Sequence, residues 1–223
     1  MKKLLAAAAA STVMMGAAHA AQILIDDFDQ TIATSLGFSA TPSSNFATDT
    51  YSIGSLTWDR RVDISANMSV AEAIGIFEPM DQLVFATSGV STVVASVTWD
   101  LVSGSLDLTN SATFESVLVD QAVSSNDLLA AGTLTLQDGS SVSDSVAFTL
   151  NQGDTELSVA LADFSGVDLS DVTKIVLELT SNTEGVDLEL EDAIFTTAIP
   201  VPGALPLMLA GVGFLVARRS RNI

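Results

Sequence analysis

Residues 133–150, TLTLQDGSSVSDSVAFTL, alternate apolar and polar side chains on both sides of Asp138-Gly139. Successive side chains of a strand point to opposite faces, so a period of two fits half-buried strands and not a helix, whose apolar positions recur every three or four residues. An Asp-Gly pair between two such runs is a hairpin signature. TELSVAL, TKIVLELT and GVDLELEDAIF alternate in the same way, and TVVASVTWD and TFESVLVD read as further strands. No long amphipathic helical pattern competes with them. Many short strands separated by Gly, Ser, Asn and Asp turns predict an all-β chain, an antiparallel β-sandwich. Two echoes, Ser55-Leu56-Thr57-Trp58-Asp59 and Ser96-Val97-Thr98-Trp99-Asp100, are too short for a repeat and read as two strands ending at similar turns.

Composition supports one folded domain with terminal segments. Hydrophobic residues make up 48% of the 223 and charged residues 16%, enough to bury a core. Cysteine is absent, so no disulfide can staple the fold, and the single histidine, His19, lies near the N-terminus. A mature chain without Cys and His has no thiol nucleophile, no Ser-His-Asp triad and no imidazole zinc site. All 27 acidic residues fall between Asp26 and Asp192, where the only basic residues are Arg60, Arg61 and Lys174. Phosphate binding needs clustered Lys and Arg, so nucleic acid is excluded as a partner. Such acidity serves solubility or divalent-cation binding.

The two ends carry addresses. Lys2 and Lys3, an apolar run from Leu4 to Gly16 and then Ala18-His19-Ala20 form the three regions of a secretory signal peptide, residues 1–20, with cleavage after Ala20 leaving Ala21 first. At the other end, residues 204–217 carry no charge. As a helix they would reach about 21 Å at ~1.5 Å per residue, short of a hydrocarbon core of roughly 30 Å. Arg218, Arg219 and Arg221 in the tail 218–223 place the C-terminus in the cytoplasm by the positive-inside rule. The prolines before the apolar run disfavour helix and keep the chain extended. The segment reads as a short transmembrane helix serving a processing signal, with a plain single-pass anchor as the alternative.

Pro200, Val201, Pro202, Gly203, Ala204, Leu205 and Pro206, followed by the apolar run and the arginines, resemble the VPLPA-CTERM sorting signal, a variant of the PEP-CTERM signal. The motif spans residues 199–206 of a segment 199–223; Ile199, Val201 and Gly203 stand where its name gives Val, Leu and Ala. The resemblance implies processing by an exosortase, a membrane transpeptidase-like enzyme, after signal peptidase has acted. It also implies a transient inner-membrane precursor in a Gram-negative bacterium, then delivery to the cell surface or extracellular polysaccharide matrix.

Between the signals, residues 21–198 open with ILIDDFD and close with VDLELEDAIF. This pattern resembles jelly-roll domains of the carbohydrate-binding, galactose-binding-like type. The resemblance implies that the first and last strands pair and that carboxylates beside them hold a structural calcium. Asp26, Asp27, Glu191 and Asp192 are the candidates, because calcium takes six to eight hard oxygen ligands. The alternative is that these acids face solvent and discourage edge pairing. For stacking of sugar rings the candidates are Trp58, Trp99 and Tyr51, the only Trp and Tyr residues, although Trp in a sandwich more often belongs to the core. Asp59-Arg60-Arg61 could anchor an anionic ligand but reads more simply as an exposed salt bridge at a turn. Twenty-seven acids make some close carboxylate pair inevitable, so glycoside cleavage gains no specific support and the expected role is binding or structural. A carbohydrate-active enzyme and a permanently anchored calcium-dependent adhesin stand as alternatives.

Overall fold

A computed structural model describes residues 22–36, 43–66, 72–77, 82–87, 92–122, 130–151, 153–181 and 187–197. Gln22–Thr197 form one compact unit. The signal peptide, the sorting motif, the short transmembrane segment and the basic tail all lie outside the described residues. Among the described residues no helix is long and apolar enough to cross a membrane.

The strands are β1 (Gln22–Asp26), β2 (Ile32–Leu36), β3 (Ser43–Ile53), β4 (Leu56–Ala66), β5 (Glu72–Phe77), β6 (Gln82–Ala86) and β7 (Val93–Leu101). Then come β8 (Ser111–Ala122), β9 (Ala130–Asp138), β10 (Ser143–Leu150), β11 (Glu156–Ala160), β12 (Val172–Ser181) and β13 (Asp187–Thr197), with one 3-10 turn at Leu161–Asp163. One sheet runs β10-β9-β12-β7-β4-β3; the other runs β11-β8-β13-β6-β5-β2, with β1 also paired to β13. All pairings are antiparallel. This is the all-β sandwich that the alternation predicts, and its first and last strands pair, Gln22 opposite Thr196.

The inward halves of the alternating strands make one core. Trp58, Val62 and Ile64 of β4, Val97 and Trp99 of β7, and Ile175, Leu177 and Leu179 of β12 are buried from one sheet. Leu83, Phe85, Phe114, Leu188, Leu190 and Phe195 are buried from the other. The Phe114 and Phe195 rings meet edge to face with centroids 5.3 Å apart. Each such side chain contributes about 1.5–3 kcal/mol of burial.

The hairpin expected at Asp138-Gly139 forms between β9 and β10, through a loop of four residues that the buried Asp138 carboxylate closes by accepting from Ser140 N at 2.9 Å and Val142 N at 3.0 Å. One local expectation is corrected. The two Trp-Asp echoes do not both end strands. Trp58 lies near the start of β4 and Trp99 near the end of β7, and the strands are antiparallel neighbours.

Three register shifts decide where charged side chains go. An extra residue in one strand breaks the alternation and re-aims the side chains beyond it. In β1 the shift between Leu24 and Asp26 turns both Ile25 and Asp26 inward. In β12 the shift between Val172 and Lys174 leaves Val172 inside and Lys174 on the outer face. In β13 the shift between Glu191 and Ile194 coincides with a left-handed Asp192, φ 56°.

Candidate functional site

Arg60 is the inward member of the run Asp59-Arg60-Arg61 on β4, 1% exposed, and not part of a turn. Its Nη1 donates to both oxygens of Asp26, at 2.9 and 2.8 Å. Its Nη2 donates to Asp49 Oδ2 at 2.6 Å and to the carbonyl of Gln30 at 3.0 Å, and its Nε to Asp49 Oδ1 at 3.0 Å. The planar fork of arginine suits this arrangement, since every guanidinium nitrogen has an acceptor. Its Cζ lies 4.6 Å from the centroid of the Tyr51 ring, and Tyr51 donates its hydroxyl to the carbonyl of Ile25 at 2.6 Å. Trp99 Nε1 and Phe28 N complete the donors around Asp26, at 2.7 and 3.0 Å. Burial pushes the Asp26 carboxyl up, while Arg60, Trp99 and Phe28 pull it down. Burial likewise works against the Arg60 charge, but the hydrogen bonds and charges of Asp49 and Asp26 outweigh it and hold the guanidinium ionised.

This network fixes β1 to the opposite sheet. Burial removes four residues from the expected site. Trp58, Trp99 and Tyr51 are buried and offer no face to a sugar. Asp26 is 1% exposed with both oxygens taken by Arg60. Arg60 therefore does not serve as an exposed salt bridge.

Of the remaining calcium candidates, Glu191 is exposed and Asp27 and Asp192 are half-buried. Burial pushes the Asp192 carboxyl up, and the charges of Glu191, Asp27 and Asp26 push it further, so the fold does bring the four acids into one neighbourhood. Among the described residues, however, no group of three or more His, Cys, Asp or Glu side chains is arranged to hold a metal ion. A carboxyl whose folded pKa is raised stabilises the fold below its ordinary value of 3.8, and that contribution is lost as pH rises through the folded value. Asp192→Asn should therefore raise the melting temperature at pH 7 by about 1–3 °C, discounted for screening, with the gain vanishing at acid pH. Asn also tolerates the left-handed backbone. Thermal melts of both chains at pH 7 and pH 3.5 check this. A calcium-induced rise beyond that of matched sodium, abolished by Asp192→Asn, would instead assign these acids an ion.

The outward residues of β4, β7 and β12 form a second arrangement. Antiparallel register sets Lys174 opposite Asp100, and Asp100 opposite Asp59, which faces Thr50 on β3. The adjacent row sets Thr98 opposite Arg61 and Arg61 opposite Thr48. Lys174 Nζ pairs with Asp100 Oδ2 at 2.7 Å, Thr50 donates to Asp59 Oδ1 at 2.6 Å, and Arg61 Nε donates to both oxygens of Asp63 at 2.9 and 2.7 Å. All of these but Asp63 line an open groove of about 550 Å³, together with Asp49 and Arg60. Beside it Phe46 on β3 is 55% exposed, with Arg61 Cζ 4.2 Å from its ring centroid.

Sequence reasoning left this groove unseen. The period of two that places Trp58 and Val62 inward also places Arg60 inward and Arg61 outward. That much could be read from WDRRV, but the meeting with Lys174 depends on the register of β12 on β7 and of β7 on β4.

No protein-family model matches the chain, and no curated protein does. Among solved structures, a family 11 carbohydrate-binding module of a cellulosomal cellulase of Clostridium thermocellum matches at 9% identity and TM-score 0.41, over 81% of this chain and 96% of that one. The same module from that organism, in complex with a β-1,3-1,4-mixed-linked tetrasaccharide, matches at 9% identity and TM-score 0.41, over 80% and 96%. An agarase matches at 12% identity and TM-score 0.38, over 79% of this chain and 24% of its own. These are likenesses of strand arrangement at low identity.

Proposed function

We propose that the chain is an exported precursor whose β-sandwich is delivered to the cell surface or extracellular matrix of a Gram-negative bacterium. There it associates with polysaccharide, by binding or as a structural component, without catalysis. The order of signals around the sandwich carries this reading. A signal peptide ends at Ala20, two residues before β1 begins, and the proline-rich motif starts two residues after β13 ends at Thr197. Signal peptidase and an exosortase are the processing partners, and the inner membrane holds the precursor only in passage.

Deletion of residues 199–223, or of the host's exosortase, tests the sorting step. The shortened chain should stay in the periplasm, and the full chain in the exosortase-deficient host should accumulate in the inner membrane. Unchanged surface delivery in both cases would refute sorting by the C-terminal segment.

A further inference from the structure

We propose that the groove on the outer face of the β3-β4-β7-β12 sheet binds a segment of an uncharged polysaccharide. The first observation is where the cations are. Arg60, Arg61 and Lys174 are the only basic residues between Lys3 and Arg218, and all three line this one groove. Three acids, Asp49, Asp59 and Asp100, line it with them. On a body that carries 27 acids, the groove is thus a locally balanced surface. A polyanionic glycan would have to approach through the field of the other acids and would find each cation already paired.

The second observation is the kind of hydrogen-bonding group on offer. Lys174 beside Asp100, Arg61 beside Asp63, and Thr50 beside Asp59 each set a donor next to an acceptor in exposed or half-buried positions. A sugar hydroxyl both donates and accepts, so neighbouring hydroxyls on one ring can take a hydrogen bond from the cation and give one to the carboxylate. Bonds with one ionised partner are roughly twice as strong as neutral ones. Thr48 and Thr98 add hydroxyls between these pairs. The groove crosses four strands, roughly 14 Å at ~4.8 Å per strand, which suits a few pyranose rings and not a single small ion.

The third observation is Phe46. It is the one exposed aromatic among the described side chains, and it stands at the groove's margin with a guanidinium against its ring. An aromatic face there gives the apolar C–H surface of a sugar ring a platform that the buried Trp58, Trp99 and Tyr51 cannot supply.

The ligand class rests on the polysaccharide reading above; the location rests on the groove itself. Affinity electrophoresis of the full chain in detergent, through gels containing neutral glucans, neutral galactans or a polyuronate, tests both. The expected result is retardation by a neutral polymer that persists from about 0.05 to 0.5 M sodium chloride. Lys174→Met and Phe46→Ala should each weaken it roughly three- to tenfold. Val117→Thr, exposed on β8 of the other sheet, should leave it unchanged. Retardation by a neutral polymer that ignores both groove substitutions would overturn the site and keep the polysaccharide reading. Retardation only by polyuronate, lost with salt, would overturn the ligand class. Retardation by no polymer would overturn the site and the polysaccharide reading together, leaving the export and sorting tests to stand on their own.

Discussion

Arg60→Met should lower stability by about 3–5 kcal/mol, because it strands a buried carboxylate at Asp26 and removes the tie between β1 and the other sheet. For a body of this size that is a fall in melting temperature of roughly 6–20 °C. Arg60→Lys should not restore it, since one ammonium cannot reach Asp26, Asp49 and the Gln30 carbonyl together. The loss should depend on pH. Burial already raises the Asp26 carboxyl, and without Arg60 it rises further. A raised carboxyl is cheapest to bury when protonated, so the deficit is largest above the folded pKa and is recovered as pH falls below the ordinary value of 3.8. Thermal melts across pH check this, and a deficit under about 1 kcal/mol at pH 7 would show that the pair does not hold β1.

Gly132→Ala should cost about 1–3 kcal/mol or more through overpacking. Gly132 lies on β9 between Leu179 of β12 and Phe148 of β10. A Cβ there would fall 2.0 Å from the carbonyl oxygen of Glu178 and 2.7 Å from Cζ of Phe148. The aromatic ring can rotate away, but the carbonyl belongs to the β12 backbone and can move only with the strand. Denaturant titration of the variant should show a lower midpoint, and Phe148→Leu added to it should relieve the ring contact alone. An unchanged midpoint in Gly132→Ala would mean that β9 and β12 are further apart than the pairing indicates.

The strands were legible because alternation is local: the run ending at Leu150 supplies the end of β9 and all of β10, the run ending at Thr180 lies in β12, Asp187 to Phe195 lie in β13, and the run ending at Leu161 contains β11. The pairing of first and last strands followed from a resemblance, not from spacing. Trp58, Trp99 and Tyr51, offered as sugar-stacking candidates, are core, as the general tendency of Trp in a sandwich allows for the first two; sequence could not reveal that Trp99 donates to a buried Asp26. The ion pair and the groove were hidden for two physical reasons. The bulge at Ile25 reverses the face that strict alternation assigns to Asp26, and a bulge leaves no mark in a string of apolar and polar residues. Lys174 keeps the outward face that alternation gives it, but its place opposite Asp100 is set by a pairing register between distant strands. Acid abundance hid the rest. With carboxylates in nearly every turn, Asp138, Asp144 and Asp168 look alike in sequence. In the fold Asp138 closes the loop after β9, Asp144 caps the amides of Ser165 and Gly166, and Asp168 binds its own turn at Ser170.

The fold therefore divides its three internal cations between two tasks, Arg60 holding the body together and Arg61 and Lys174 facing the groove. Whether that body reaches the cell exterior as a processed product is tested most directly by mass-spectrometric sequencing of both ends of the protein recovered from the surface of its host. The account predicts a chain that begins at Ala21 and stops at or before the Pro200–Pro206 region. Surface protein that still carries Arg218, Arg219 and Arg221 would contradict it.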